Sequence, residues 1–302
     1  MSTDHEAATG ADGVNTLAPS TVLQDDLQDA LQGIAVGLSS CQCPGAYHTI
    51  WGALRATGAG HGLESEAPVL DPLLDPLVGN GSRVLIAGAA DANSLRMLHG
   101  LAQGRAVQFS VADRCPAPLR RASDWAQRRG IELQVIEADL ADLPGRGQWD
   151  LAFLHYTLSF GDAQRRRQVL AALAAVLSAK GVIVCALKFD AGAAETPAAA
   201  AQRWLARMSP LMSQRLSGHP ETWARIEPLL SGYALQWAER KAMQASPDRL
   251  EGDFASAGLR VHQRIDTPRS PLTARRNSLA AHDQYSQVWV AARADGTALS
   301  SD

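Results

Sequence analysis

Hydrophobic positions fall into two patterns that alternate along the middle of the chain. Short apolar stretches, too brief for helices, recur at 83–88, 106–113, 131–139, 149–158 and 180–187. Between them lie amphipathic stretches at about 93–103, 117–129 and 163–178. The first kind predicts strands and the second helices. Their order predicts β-α units whose crossovers place helices on both faces of a mainly parallel sheet, a Rossmann-like α/β fold. Farther on, Pro247 to Ala257 predicts a helix, Gly258 its end and Leu259 to Thr267 a strand. Gln284 to Ala292 then predicts a last strand.

The flanking segments read differently. Residues 1–19 are small and polar and predict a disordered tail. From Ser20, Val22, Leu23, Leu27, Ala30, Leu31 and Ile34 recur at helical spacing, with Ser20 or Thr21 as cap and Asp25 and Asp26 in the first turn. Tyr47, Trp51 and Arg55 follow at spacings that share one helical face. A breaker-rich passage from Asp71-Pro72 to Gly79-Asn80-Gly81 precedes the first strand. After the fifth strand, the spacer AGAAETPAAAAQ opens an insertion with helices predicted over 199–217 and 220–244. In the second, Trp223, Ile226, Leu230, Ala234 and Trp237 form an apolar stripe. The expected organisation is a tail (1–19), an N-terminal helical cap (20–78), a nucleotide-binding core (79–190), a helical lid (191–245) and the end of the core (246–294). The 269–283 connection is polar, and the tail from Asp295 is expected to be loose.

Charge narrows the partners. With 28 Lys and Arg against 31 Asp and Glu, the formal net charge is −3, which offers no general attraction to nucleic acid and suits a small-molecule substrate. The pairs Arg120-Arg121 and Arg128-Arg129 and the triplet Arg165-Arg166-Arg167 sit on predicted outer helices, diverge by about 100° per residue and predict solvated surface. The N-terminus lacks a secretory signal pattern, and no apolar run is long enough for a membrane span, so a cytoplasmic location is expected. The four cysteines include Cys41-Gln42-Cys43, which offers two thiolates but no second pair, so that an ordinary loop and no metal are expected.

The first strand ends in Gly88, followed by Ala89-Ala90-Asp91-Ala92, so side chains stay small where a nucleotide approaches the main chain and the next helix offers unpaired N–H groups. The second strand ends in Asp113, about 25 residues on, where a carboxylate can accept from both ribose hydroxyls. The third ends in Asp139. This order of landmarks over roughly residues 80–190 resembles the class I S-adenosylmethionine-dependent methyltransferases. The resemblance implies a seven-stranded sheet whose last strand is antiparallel, and S-adenosylmethionine as cofactor. It places the methionine part at Gly88, Ala90 and Asp91, the ribose at Asp113 with Arg114 beside it, and the adenine amine near Asp139 and Leu140. Two departures stand out: Ile86 replaces the family's first-strand acid, and Ala90 and Ala92 replace glycines. The resemblance also implies that the insertion roofs the acceptor pocket, where Trp204 is expected.

Ligands of open α/β sheets lie beyond the carboxyl ends of the strands. His155-Tyr156 stands at the end of the fourth, with His155 as candidate base or cofactor neighbour and Tyr156 as candidate orienting group. Lys188 and Asp190, ending the fifth strand, are secondary candidates. Tyr47, His48, Trp51 and Arg55 are candidate substrate contacts, with core packing of Tyr47 and Trp51 as the competing reading. The motifs of amino-directed and cytosine-C5 DNA methyltransferases are absent after the fourth strand. The expected activity is methyl transfer to a small molecule, in specialised metabolism, by a monomer or homodimer. Transfer or cyclisation of the cofactor's aminocarboxypropyl arm is the alternative within the fold. A nicotinamide oxidoreductase or a non-catalytic binding module is the alternative outside it.

Overall fold

The computed structural model describes residues 19–57, 63, 66–159, 161–190, 195–267 and 284–295. The expected N-terminal tail before Pro19, the polar connection at 269–283 and the chain beyond Asp295 lie outside the described residues.

Among the described residues, seven strands form one sheet: β1 (Arg83–Ala87), β2 (Gln108–Asp113), β3 (Leu133–Glu137), β4 (Trp149–His155), β5 (Leu177–Asp190), β6 (Leu259–Asp266) and β7 (Gln284–Arg293). Their order is β3-β2-β1-β4-β5-β7-β6. Pairings among the first five strands are parallel, whereas β7 runs antiparallel to both β5 and β6. Between the strands lie α4 (Asn93–Ala102), α5 (Pro116–Gln127), α6 (Ala163–Val176) and α10 (Pro247–Ser256), after N-terminal α1 (Pro19–Ser40), α2 (Tyr47–Ala56) and α3 (Ala67–Leu74). The insertion contains α7 (Pro197–Arg215), α8 (Pro220–Ile226) and α9 (Leu230–Ala242). Among the described residues no helix is long and apolar enough to cross a membrane.

Alternation along each strand builds two cores. Val84 and Ile86, with Val111, Phe153 and Val184, face α3, α4 and α5 through Leu70, Leu74, Leu95, Leu98 and Trp125. Leu85 and Ala87, with Leu154, Ile183 and Trp289, face α6 and α10 through Leu170, Leu173 and Phe254. Ile86, at the position of the family's first-strand acid, is therefore a core residue.

A third core joins the N-terminal helices to the insertion. Ile34 of α1 and Ile50 of α2 pack with Met208 and Met212 of α7, Ile226 of α8 and Leu230 and Tyr233 of α9. The close seat of α1 on α2 requires glycine: a Cβ on Gly37 would lie 2.6 Å from the Thr49 Cα.

Two predicted boundaries move. The helix expected over 220–244 is broken by a 3-10 turn at Glu227–Leu229, where Pro228 lacks an N–H and its ring crowds the preceding turn. The fifth strand begins at Leu177 rather than near Lys180, because α6 stops at Val176 and Leu177 pairs with Trp149 across a register shift.

Candidate functional site

The turn after β1 is shaped by Gly88, which has φ +79. A Cβ there would sit 2.7 Å from the Thr157 Oγ1, so both backbone conformation and space exclude a side chain. Thr157 itself donates to the Ala87 carbonyl at 3.2 Å. Beside the turn, the Asp113 carboxylate accepts from the Ala89 N–H at 3.0 Å and from the Cys115 N–H at 2.8 Å. Burial raises its pKa above the usual aspartate value, and these two donors offset only part of that effect.

Beyond the strand ends opens a cleft of about 310 Å³, of which Gly88, Ala90, Asp113, Leu140, His155 and Tyr156 form part of the wall. Tyr47, His48 and Arg114 also line it. The fold thus gathers most of the predicted site residues at the predicted end of the sheet. Thr157, Arg165, Arg166, Arg240 and Met243, which carried no local signal of a site, line the same cleft.

At the end of β4, His155 and Tyr156 converge on one buried carboxylate. The His155 Nε2 lies 2.8 Å from a Glu66 oxygen, and the Tyr156 hydroxyl donates to the other. Tyr156 has φ +59, unusual for a bulky residue, and the backbone turn aims its ring back under the Lys188 ammonium, 5.1 Å from the ring centroid. Burial alone would raise the Glu66 pKa, but the bonds from His155 and Tyr156 and the nearby Lys188 charge hold it below the ordinary glutamate value. Burial, reinforced by Glu66, pushes the Tyr156 phenol well up, keeping it a donor. Desolvation shifts the pKa of the half-buried Lys188 downward. Asp190 closes β5 at its pairing with Gln284, its side chain lying outside the described residues.

Other predicted site residues face elsewhere. The Trp51 Nε1 donates to Asp91 at 2.9 Å, and the Arg55 Nε lies 4.0 Å from the same carboxylate. Asp91 also accepts from the Asn93 backbone at 2.9 Å. Trp51, Arg55 and Asp91 line a separate cavity of only about 20 Å³, and their contacts pin α2 to the start of α4. Trp204 packs against Tyr233 and Trp237, with ring centroids 5.1 and 6.4 Å away, inside the helical core. Asp139 accepts from the Ala141 N–H at 2.8 Å and pairs with Arg165, so that it stands behind the cleft wall next to Leu140. Both His48 nitrogens are engaged: Nδ1 with the Cys41 and Cys43 sulfurs and Nε2 with the Ala89 carbonyl.

The arginine clusters are not uniformly solvated. Arg121 is buried against Asp29 at 2.8 Å, and Arg166 is buried against Asp253 at 2.8 Å. Consecutive helical positions diverge, so in these two clusters one member turns inward to a carboxylate supplied by a distant helix, whereas Arg128 and Arg129 are both exposed.

Residues 84–181 match the family described as a methyltransferase domain. No curated protein matches the sequence. Among solved structures, geranyl diphosphate C-methyltransferase from Streptomyces coelicolor superposes with a TM-score of 0.52 at 13% identity, covering 79% of this chain and 84% of that one. A geranyl diphosphate methyltransferase in complex with S-adenosylmethionine has a TM-score of 0.52 at 14% identity over 80% of this chain and 90% of its own. The cyclase SpnF has a TM-score of 0.51 at 12% identity over 90% of this chain and 95% of its own. The strand order and the antiparallel β7 give the chain the fold of these methyltransferases, and the methyltransferase-domain match lies within its β1–β5 core.

Proposed function

We propose that the chain methylates a small-molecule acceptor of specialised metabolism within the 310 Å³ cleft, with His155 as the general base. The observation that carries this reading is the convergence of Gly88, Asp113 and His155 on that one cleft. Its volume falls within the range of small-molecule sites. That two structural relatives are geranyl diphosphate methyltransferases adds support for a small acceptor.

The residues present fit S-adenosylmethionine. The Asp113 carboxylate, half-buried at the wall, retains lone pairs for the ribose hydroxyls beyond the two backbone donors it already accepts. Gly88 and Ala90 keep the wall thin where the methionine part would lie, and Leu140 offers an apolar surface to the adenine. When bound, the cofactor supplies an electrophilic methyl group.

His155 donates Nε2–H to Glu66, a tautomer assigned from the hydrogen-bond network, so Nδ1 carries the lone pair that takes the acceptor's proton. Glu66 stabilises the imidazolium that results. Tyr156 and Lys188 hold Glu66 in place and ionised. Arg240, stacked 5.4 Å from the Tyr47 ring centroid, and Met243 bring the insertion to the rim of the cleft, which supports its role as a lid.

Calorimetric titration with S-adenosylhomocysteine tests the cofactor assignment. Wild type should bind, and Asp113→Ala should bind about 10–100-fold more weakly, as expected for lost hydrogen bonds to a charged group. Unchanged affinity would remove the ribose assignment. Incubation with an acceptor library should release S-adenosylhomocysteine; methylthioadenosine instead would indicate chemistry on the aminocarboxypropyl arm.

A further inference from the structure

Four side chains with metal-binding chemistry meet beside the cleft. Cys41 follows the end of α1, Cys43 opens the turn into α2, His48 lies in the first turn of α2, and Cys115 stands between β2 and α5. One ligand atom from each lies within 4.8 Å of all the others. His48 Nδ1 is 3.6 Å from both the Cys41 and the Cys43 Sγ. All three cysteines are free thiols, and Cys115 and His48 are buried.

Local structure explains the convergence. Gly45 and Ala46 both adopt left-handed conformations, with φ +63 and +49, so the chain reverses sharply after Cys43 and enters α2. The close seat of Gly37 on Thr49 then sets Cys41 opposite His48. Cys115 arrives from the sheet, its N–H fixed by Asp113 and its sulfur accepting the Gln42 N–H at 3.4 Å.

The spacing suits a single small ion. Tetrahedral zinc, with bonds of about 2.3 Å to sulfur and about 2.0–2.1 Å to nitrogen, separates a sulfur and a nitrogen ligand by about 3.5–3.6 Å. Both sulfur-to-nitrogen distances measured at His48 match that separation. A polynuclear iron–sulfur cluster would hold its ligand atoms farther apart, and a disulfide would engage two thiols while leaving the third and the imidazole without a role. The far side of the ring fits as well: with metal on Nδ1, the Nε2–H donates to the Ala89 carbonyl, 3.1 Å away, the outer-shell bond that orients most metal-bound histidines.

We propose that Cys41, Cys43, His48 and Cys115 bind one zinc ion in a closed, tetrahedral structural site that fastens the N-terminal helices to the turn after β1. Three cysteines and one histidine fill the coordination sphere, so the ion stabilises structure and leaves no open position for a substrate. On binding, the three thiols release their protons to solvent and the site carries a net charge of −1. Through Ala89 and Cys115 the ion braces both neighbours of the Asp113 carboxylate, and so links the order of the N-terminal helices to the shape of the cleft.

The test needs no acceptor and no turnover. Full-length protein, purified anaerobically with a phosphine reductant, is loaded with zinc, desalted and analysed for metal. About one zinc per chain is expected, and cobalt(II) in its place should show the intense thiolate charge-transfer absorption of a tetrahedral site. Cys43→Ser and Cys115→Ser should lose most of the retained zinc. Should either variant fail to fold, thiol labelling of wild type decides the matter: Cys41, Cys43 and Cys115 should resist maleimide while zinc is bound and react once a strong chelator is added. Negligible metal after loading, labelling indifferent to the chelator, or a disulfide among these cysteines in the reduced preparation would each overturn the proposal.

Discussion

His155 Nε2 and the Glu66 carboxylate lie 2.8 Å apart although 89 positions separate them along the chain. One ends β4 and the other precedes α3, so the contact exists only because α3 packs across the sheet. Glu66 is 2% exposed and receives the Tyr156 hydroxyl as well. The pair joins the wall of the cleft to the packing of the N-terminal segment.

This arrangement gives stability a definite pH dependence. The folded-state pKa of Glu66 is depressed, so its contribution is fully present above the ordinary value of 4.5 and is lost as pH falls through the lower folded value. Glu66→Gln should destabilise near neutral pH by about 1–3 kcal/mol, the cost of weakening a buried charged hydrogen bond. Urea unfolding of both proteins across acidic pH should show the difference shrinking as the pH drops below 4.5. A constant difference would mean that the carboxylate charge contributes nothing.

Turnover should separate from cofactor binding at His155. His155→Asn should lower kcat by about 10²–10⁴-fold if the imidazole takes a proton from the acceptor, while affinity for S-adenosylhomocysteine stays near wild type. Normal kcat in this variant would leave His155 as a wall residue.

Gly88→Ala should be among the most damaging single-methyl additions. The left-handed backbone costs a non-glycine residue about 1–2 kcal/mol, and the new methyl would meet Thr157 at 2.7 Å. Thr157→Ala in the same chain relieves the contact but not the backbone strain. The double variant should therefore regain only part of the lost thermal stability, and full recovery would show that φ at this turn is unimportant.

Arg166→Met should destabilise by about 3–5 kcal/mol, the usual cost of breaking a buried ion pair from one side. It leaves Asp253, itself 4% exposed, with Arg167 at 3.1 Å as its remaining cation. Chemical denaturation of Arg166→Met beside Arg120→Met, an exposed neighbour in another cluster, measures the contrast. Equal effects would mean that burial of Arg166 carries no energetic weight.

The alternating core was legible along the chain because strand and helix periodicities are local. Val84 to Ala87 reads as a strand from its composition and length, Gly88 marks a turn from its lack of a side chain, and Asp113 and His155 fall at strand ends by position. The reversal at β7 was expected from the resemblance and is realised in its pairing with β5 and β6. What tertiary structure alone decided is which distant groups meet. Glu66 reaches His155, Trp51 and Arg55 turn to Asp91, Arg166 sinks onto Asp253, and Cys115 joins Cys41, Cys43 and His48. No periodicity records these encounters, since each depends on how a helix seats on its neighbour, as α1 does on α2 through Gly37. A buried charge or thiol obtains its partner from whichever element that packing brings within reach, and so its chemistry is settled in space rather than along the chain.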